Sequence, residues 1–367
     1  MKHDLNHLFL GMRTSLTLAV LNVVGLGLFG CATTHSSRGV VDRLALRTRA
    51  LNYLTTAIRY PHNPAVRVEA VEALETCGHE RGLPWLRSAL MDDHPAVRFA
   101  ACVAVGARRD GVASNAVHAA LNDPDASVQV AALFALHRLG QEQRTGRIAT
   151  FLLNHESPAV RRNAALVLGM LEEPGAIKVL ARAMKDADAG VRQHALEAMA
   201  RLGNAEASQE LAFMANTGVG SEEVFALNAL AAAGHPVYQD TFRYKLATAP
   251  HIETRLAAAR GLGLLGSTEG FEIALGALRP RGPLLRDARD PPQGQILRRR
   301  QLAAAALGAM GQADALPALA EMLEESKDPR VQVSAARAIL DILEKSRPRT
   351  LPAALAPTQA TGNRRTR

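Results

Sequence analysis

The sequence predicts an all-α fold, a right-handed α-solenoid of about nine helix-turn-helix units, on three observations. Nine anchor positions recur at intervals of 31 or 32 residues, broken once by a gap of 45: Val66, Val97, Val128, Val160, Val191, Glu222, Thr254, Arg299 and Val331. Each interval reads as two short helices around a polar turn. The second helix of each pair is rich in Ala, which lets neighbouring helices approach closely. A fixed period in this range marks a stack of units, each burying its apolar face only against its neighbours.

The unit from Gly175 to Gly203 shows the pattern. Ile177, Leu180, Ala181 and Met184 fall on one face of a first helix, Ala176 to Lys185. Asp186-Ala187-Asp188-Ala189-Gly190 breaks it and offers short polar side chains to the first free N–H groups of the next helix. The second helix runs from Val191 to Leu202 and stops at Gly203. Pro64, Pro95 and Pro158 of sister units fall at or inside the first turn of the second helix, where a missing N–H costs nothing.

In chain order, residues 1–30 stand outside the array. Lys2 and Arg13 precede an apolar run, Leu16 to Leu28, too short for a comfortable membrane span and suited to a signal-peptide core. The run ends in Leu28-Phe29-Gly30-Cys31, which resembles the bacterial lipobox and implies lipidation at Cys31. Ala32, in place of Asp, implies sorting to the outer membrane, facing the periplasm. Several acyl tails would make that anchor stable. Residues 31–41 read as a flexible tether. A longer helix, about Asp42 to Arg59, is expected to cap the array, with Leu44, Leu51, Leu54 and Ile58 facing the first unit. The solenoid spans 42–345. The Pro- and Gly-rich stretch 279–296 is expected to project from its edge as a loop without regular helix, and 346–367 reads as a disordered basic tail.

The motif Val-Arg-x-x-Ala-x-x-Ala-Leu, preceded by Asp/Asn/Ser-Pro-Ala, resembles the short HEAT-like repeat found in phycobilisome lyases. The resemblance covers roughly Val41 to Leu343 and implies a binding scaffold. The Arg after the anchor stands at Arg67, Arg98, Arg161, Arg192, Arg255 and Arg300, and is replaced by Gln129, Glu223 and Gln332. A structural role is expected for this column, its forked donors bonding turn carbonyls and neighbouring Asp side chains.

The formal charge of +8 is local. The tail carries five Arg and no acid, and Arg279 to Arg300 holds seven Arg against two Asp, so the remaining array is slightly acidic. With aromatic residues at 4% and an export signal, nucleic-acid binding is excluded. Cys77 and Cys102 sit six residues out of register on adjacent helices, too far for a disulfide.

No nucleophile elbow, Walker loop or dinucleotide fingerprint is present. His79-Glu80 and His155-Glu156 occupy different places in their units and make no metal set, and His62, His94, His155 and His251 read as turn-capping groups. Neither metal nor cofactor is expected, and the chain is read as no enzyme. Positions three, six and ten after each anchor should line the concave side. Val103, Phe134, Leu166 and Met170 would then form an apolar stripe for a partner peptide or helix, with Glu69, Glu72, Arg138, Glu197 and Arg201 orienting it. The competing reading makes the same side chains core. The function expected is a membrane-tethered scaffold mediating protein–protein interaction in the bacterial cell envelope. A HEAT-like lyase or cofactor-handling enzyme and a structural envelope spacer are the other readings.

Overall fold

The computed structural model describes residues 42–141, 145–279 and 290–346. The signal peptide, the tether, Cys31, the tail beyond Ser346 and residues 280–289 of the insertion lie outside the described residues. The described chain forms nine helix pairs. The first members are α1 (Arg43–Ala57), α3 (Leu83–Ala89), α5 (Ser114–Ala120), α7 (Thr145–Asn154), α9 (Ile177–Ala183), α11 (Ala205–Thr217), α13 (Gln239–Thr248), α15 (Phe271–Ala277) and α17 (Leu316–Glu325). The second members are α2 (Pro64–Thr76), α4 (Pro95–Ala107), α6 (Ala126–Arg138), α8 (Pro158–Met170), α10 (Ala189–Arg201), α12 (Ser221–Ala233), α14 (Ile252–Leu264), α16 (Pro292–Met310) and α18 (Pro329–Lys345).

Local chemistry sets these boundaries. Asn63, Asp125, Asp188 and Asp328 accept hydrogen bonds from the first-turn amides of α2, α6, α10 and α18. His94 does the same through Nδ1 for Ala96, whereas His155 Nδ1 accepts from the Ser157 amide within the turn before α8. Pro64, Pro95, Pro158, Pro292 and Pro329 each open a helix. Gly203 takes the positive φ (84°) expected just past the end of α10.

The second members form the inner layer. Each adjoins the next, and their side chains are buried almost all round; on α4 every residue from Phe99 to Ala107 is buried. The first members lie outside and bury one narrow stripe each, such as Leu180 and Ala183 on α9. Gly106 and Gly169, both nine residues after their anchors, let α4 press on α6 and α8 on α10. A Cβ added there would lie 2.6 Å from the Cα of Ala135 and 2.7 Å from that of Ala198.

The array closes on itself. α18 packs on both α1 and α2, so the ninth unit meets the first. The Tyr53 hydroxyl donates to Gln332 Oε1 at 2.8 Å, Arg47 pairs with Glu344 at 3.6 Å, Arg49 pairs with Glu324, and Gln301 Nε2 donates to Glu69 Oε1 at 3.2 Å. Closure buries two apolar end faces that an open solenoid must cover with polar capping units. The helix expected to cap the array is therefore one member of a ring. Its buried stripe is Leu46, Ala50, Leu51, Leu54 and Ala57, followed by Ile58. Leu44, expected against the first unit, is 74% exposed because it falls off that stripe.

Two further expectations are corrected. The stretch 279–296 is not all loop, since α16 starts at Pro292, with Pro tolerated at the first helical position. Asp290 holds the start of this helix by pairing with Arg298 at 2.6 and 2.8 Å. The sixth anchor is Glu223, not Glu222. Glu223 is third in its helix, as Val191 is, and is buried because Lys245 (2.7 Å) and Thr254 (3.0 Å) satisfy its carboxylate.

The Arg column is structural. Arg161 donates to the carbonyls of His155 and Glu156 and grips Asp186 of the next unit with two bonds of 2.7 and 2.8 Å. Arg98 repeats this on Asp123. Arg192 and Gln129 bond turn carbonyls, and Arg255, Arg300 and Gln332 bond carbonyls at the C-terminal end of the preceding helix. The Arg161 hydrogen bonds hold the Asp186 carboxyl below its ordinary range, against the effect of burial. Arg161→Ala should lower stability at pH 7 by about 2 kcal/mol. Because the native pKa of Asp186 is depressed, that difference is present above the ordinary carboxylate pKa and fades as pH falls through the native value. Urea titrations at pH 7 and pH 3 check both statements. Cys77 and Cys102 are both free thiols, and burial pushes Cys102 up to about 12.

Candidate functional site

The ring interior is where side chains from all nine units converge. Six residues after the anchors stand Glu72, Val103, Phe134, Leu166, Glu197, Arg260, Ala305 and Arg337, with Asn228 five after Glu223. Ten after them stand Arg138, Met170, Arg201 and Asp341. The wall built by α4, α6 and α8 is apolar; α2, α10, α12, α14 and α18 supply a polar wall.

The expected apolar stripe is not an open surface. Val103, Phe134, Leu166 and Met170 are all buried, Phe134 to 1% exposure, and belong to the hydrophobic core. The curvature that closes the ring covers them, and the core reading of these four holds. Of the five charged residues singled out with them, Glu72 and Glu197 are buried. Glu197 accepts from Arg201 Nη2 at 2.8 Å, one turn along the same helix, and both are largely covered. Arg138 sits 4.0 Å from Glu172 at the edge of the interior. Glu69 accepts from Gln301, and Glu72 lies beside it on α2.

Arg260, Arg337 and Asp341 complete the polar wall and were not singled out from the sequence. The signal was present, because the same offsets counted from Thr254 and Val331 reach all three. Arg260 Nη1 donates to Asn228 Oδ1 at 2.9 Å, and Asn228 in turn donates to the Val224 carbonyl. Burial lowers Arg260 to about 10, with Arg337 adding to the effect. Burial also raises Asp341, opposed by Arg337, Lys345 and Arg260.

Desolvation dominates the two carboxyls of α2. It raises Glu69 from 4.5 to about 7, against the Gln301 hydrogen bond and the charge of Arg330. It raises Glu72 to about 8, against Arg337 and with help from Glu69 and Glu75. A carboxyl whose native pKa lies above its unfolded value favours the fold fully below about 4.5, and that contribution is lost as pH rises through 7 to 8. Glu72→Gln should therefore leave stability unchanged at about pH 3 and raise it by about 2 kcal/mol at about pH 9. Denaturant midpoints of the two proteins at both pH values test it; equal midpoints at pH 9 would show Glu72 to be solvated.

Among the described residues no group of three or more His, Cys, Asp and Glu side chains could hold a metal ion. No helix of the described chain is long and apolar enough to cross a membrane.

The repeat assignment follows from comparison with known families. HEAT repeats match residues 51–137, 114–186 and 147–224, and the PBS lyase HEAT-like repeat matches residues 300–325. The chain carries HEAT repeats. No curated protein matches it. Solved structures similar to this HEAT-repeat ring include human deoxyhypusine hydroxylase in complex with glycerol, at 17% identity over 84% of this chain and 100% of that one, with a TM-score of 0.34. The complex of CpcE and CpcF of phycocyanin lyase from Nostoc sp. PCC7120 is similar at 21% identity over 72% of this chain and 94% of that one, with a TM-score of 0.32. Kap121p bound to Nup53p is similar at 16% identity over 78% of this chain and 37% of that one, with a TM-score of 0.31.

Proposed function

We propose that this HEAT-repeat protein is a membrane-tethered scaffold that mediates protein–protein interaction in the bacterial cell envelope, anchored at the outer membrane through Cys31 and facing the periplasm. It acts by binding, not catalysis. The tether rests on the Leu28-Phe29-Gly30-Cys31 pattern and the apolar run before it. The observation that carries the interaction reading is on the outside of the ring. Phe213 of α11 is 66% exposed and Tyr244 of α13 is 58% exposed, with Val219 and Val237 also exposed in the same two units. Exposed aromatic and branched apolar side chains concentrated in neighbouring units mark a protein-binding surface more than chance exposure. The partner surface proposed is thus the outer face of the sixth and seventh units, not the covered stripe inside.

In-cell crosslinking of the tagged protein, with mass spectrometry of what it captures, tests both parts. One or a few stoichiometric envelope partners are expected, lost in a Phe213→Glu/Tyr244→Glu form. Cys31→Ser should move the protein from the membrane to the soluble fraction. Capture of no specific partner by the wild type would sink the scaffold reading in favour of a structural spacer. Unchanged fractionation of Cys31→Ser would sink the lipid anchor.

A further inference from the structure

We infer that the outer face of the sixth and seventh units takes a cationic amphipathic helix of a partner protein, its apolar residues on Phe213 and Tyr244 and its Lys or Arg residues on Glu206, Glu210 and Asp240. The inference rests on the scaffold reading of that face and names the chemistry of its partner.

Place in the unit singles out the two aromatics. Phe213 and Tyr244 each stand ten residues before the anchor of their unit, Glu223 and Thr254. The same place in other units holds Thr56, Arg87, His118, Thr150, Ala181 and Glu321. The fold therefore does not need an aromatic ring there, and both rings stand in solvent. They also share one junction. α11 packs on α13, and Lys245 Nζ donates to the Asn216 carbonyl at 3.4 Å, which joins the C-terminal ends of the two helices. Tyr244 directly precedes Lys245, and Phe213 lies one turn before Asn216. Packed helices are about 8–10 Å apart, and the two rings flank the junction at about that spacing.

Negative charge gathers in the same place. Glu206, Asp240 and Glu272 lie in the first turns of α11, α13 and α15. Among the described residues, no other outer helix carries an acid in its first turn. Glu206, Glu210 and Phe213 follow one another at i, i+4 and i+7 on the exposed face of α11, and Asp240 stands four residues before Tyr244 on α13. Each ring thus has a carboxylate one turn away on its N-terminal side. The one exposed base on α11, α13 and α15 is Arg243, which Asp240 (3.4 Å) and Glu269 (2.9 Å) already engage. The sign reverses at the units before, where α7 and α9 expose Arg147, Lys178 and Arg182 and carry no acid.

Two rings edged by carboxylates call for apolar groups edged by cations. A helix rises 1.5 Å per residue, so its residues i and i+7 lie about 10 Å apart. A helix laid across α11 and α13 can therefore set one apolar side chain on each ring, with Lys or Arg along the flank that faces the N-terminal ends. An acidic helix would cover the rings and be repelled by the carboxylates beside them.

The full-length protein would be titrated, by fluorescence anisotropy, with a labelled amphipathic peptide of Leu, Ala and Lys, and with the same peptide carrying Glu for Lys. The Lys peptide should bind at least about tenfold more tightly than the Glu peptide, and raising salt from about 50 to about 500 mM should weaken it. Phe213→Ser/Tyr244→Ser should weaken it by about tenfold or more, as should Glu206→Gln/Glu210→Gln/Asp240→Asn. Glu80→Gln/Glu172→Gln/Glu325→Gln, which removes equal charge elsewhere on the ring, should leave it within about twofold of wild type. Circular-dichroism melts confirm that each variant is folded. Equal weakening by the two charge variants would assign the effect to net charge and overturn the inference, as would no binding of the Lys peptide. Equal affinity for the two peptides would overturn it while leaving the scaffold reading to the crosslinking result. Dimerisation in sedimentation runs that Phe213→Ser/Tyr244→Ser abolishes would give the face to a second copy. Binding that tightens about tenfold in a form ending at Ser346 would give it to the chain's own basic tail. Either result overturns the assignment to a partner.

Discussion

Phe134→Ala should destabilise the protein by about 3–5 kcal/mol, the range for deleting a buried aromatic ring. Phe134 is among the largest fully buried side chains, and its ring lies against Gly106 on α4 of the preceding unit. The loss has two parts. The ring's transfer energy is forfeited, and a cavity remains because helices bonded into a closed circle have little room to collapse onto it. A side chain on an open groove would behave differently, since truncating an exposed Phe changes stability by a few tenths of a kcal/mol. Chemical denaturation of the purified variant separates the two. A change below about 1 kcal/mol would return Phe134 to the open groove and the ring to an open solenoid.

Gly106→Val should have a comparable effect, about 3 kcal/mol or more, through the opposite fault. The added Cβ meets the backbone of Ala135 at 2.6 Å, and Phe134 Cε1 lies 3.2 Å away, so no rotamer relieves it. Either α4 and α6 separate or their backbones bend. Separation at one junction of a ring must be absorbed at the others, including the junction of the first and last units. Gly175→Ala is the control. It adds a Cβ into open space and should leave stability within about 0.5 kcal/mol of wild type. Thermal melts of the two variants side by side make the comparison, and equal melting temperatures would mean that the inner helices are not in close contact.

Much of this architecture was legible because its signals are local. The Asp/Asn-x turns, the Pro at helix starts and the Gly after helix ends act within one turn of chain, so the unit from Gly175 to Gly203 could be placed to within two residues. The Arg column was legible for the same reason, since Arg161 reaches only its own turn and the next. Closure was not. Whether an array stays open depends on a small rotation at each junction, set by contacts such as Gly106 on Ala135 and Gly169 on Ala198 summed around nine units. The burial of Glu72 and Glu197 depends on how neighbouring units pack and could not be counted from the sequence. Spacing alone points to Glu222 as the sixth anchor, because it does not show that Glu223 finds Lys245 and Thr254.

A ring of bonded neighbours fixes its own census. An open array can gain a unit by duplication, at either end or within, and lose nothing but one interface. Here a tenth pair would have to enter between two units already in contact, and the rotation from unit to unit would have to change around the ring. The lineage of this chain is therefore expected to vary by substitution inside its units and by growth of the stretch between α15 and α16, while the number of units stays at nine.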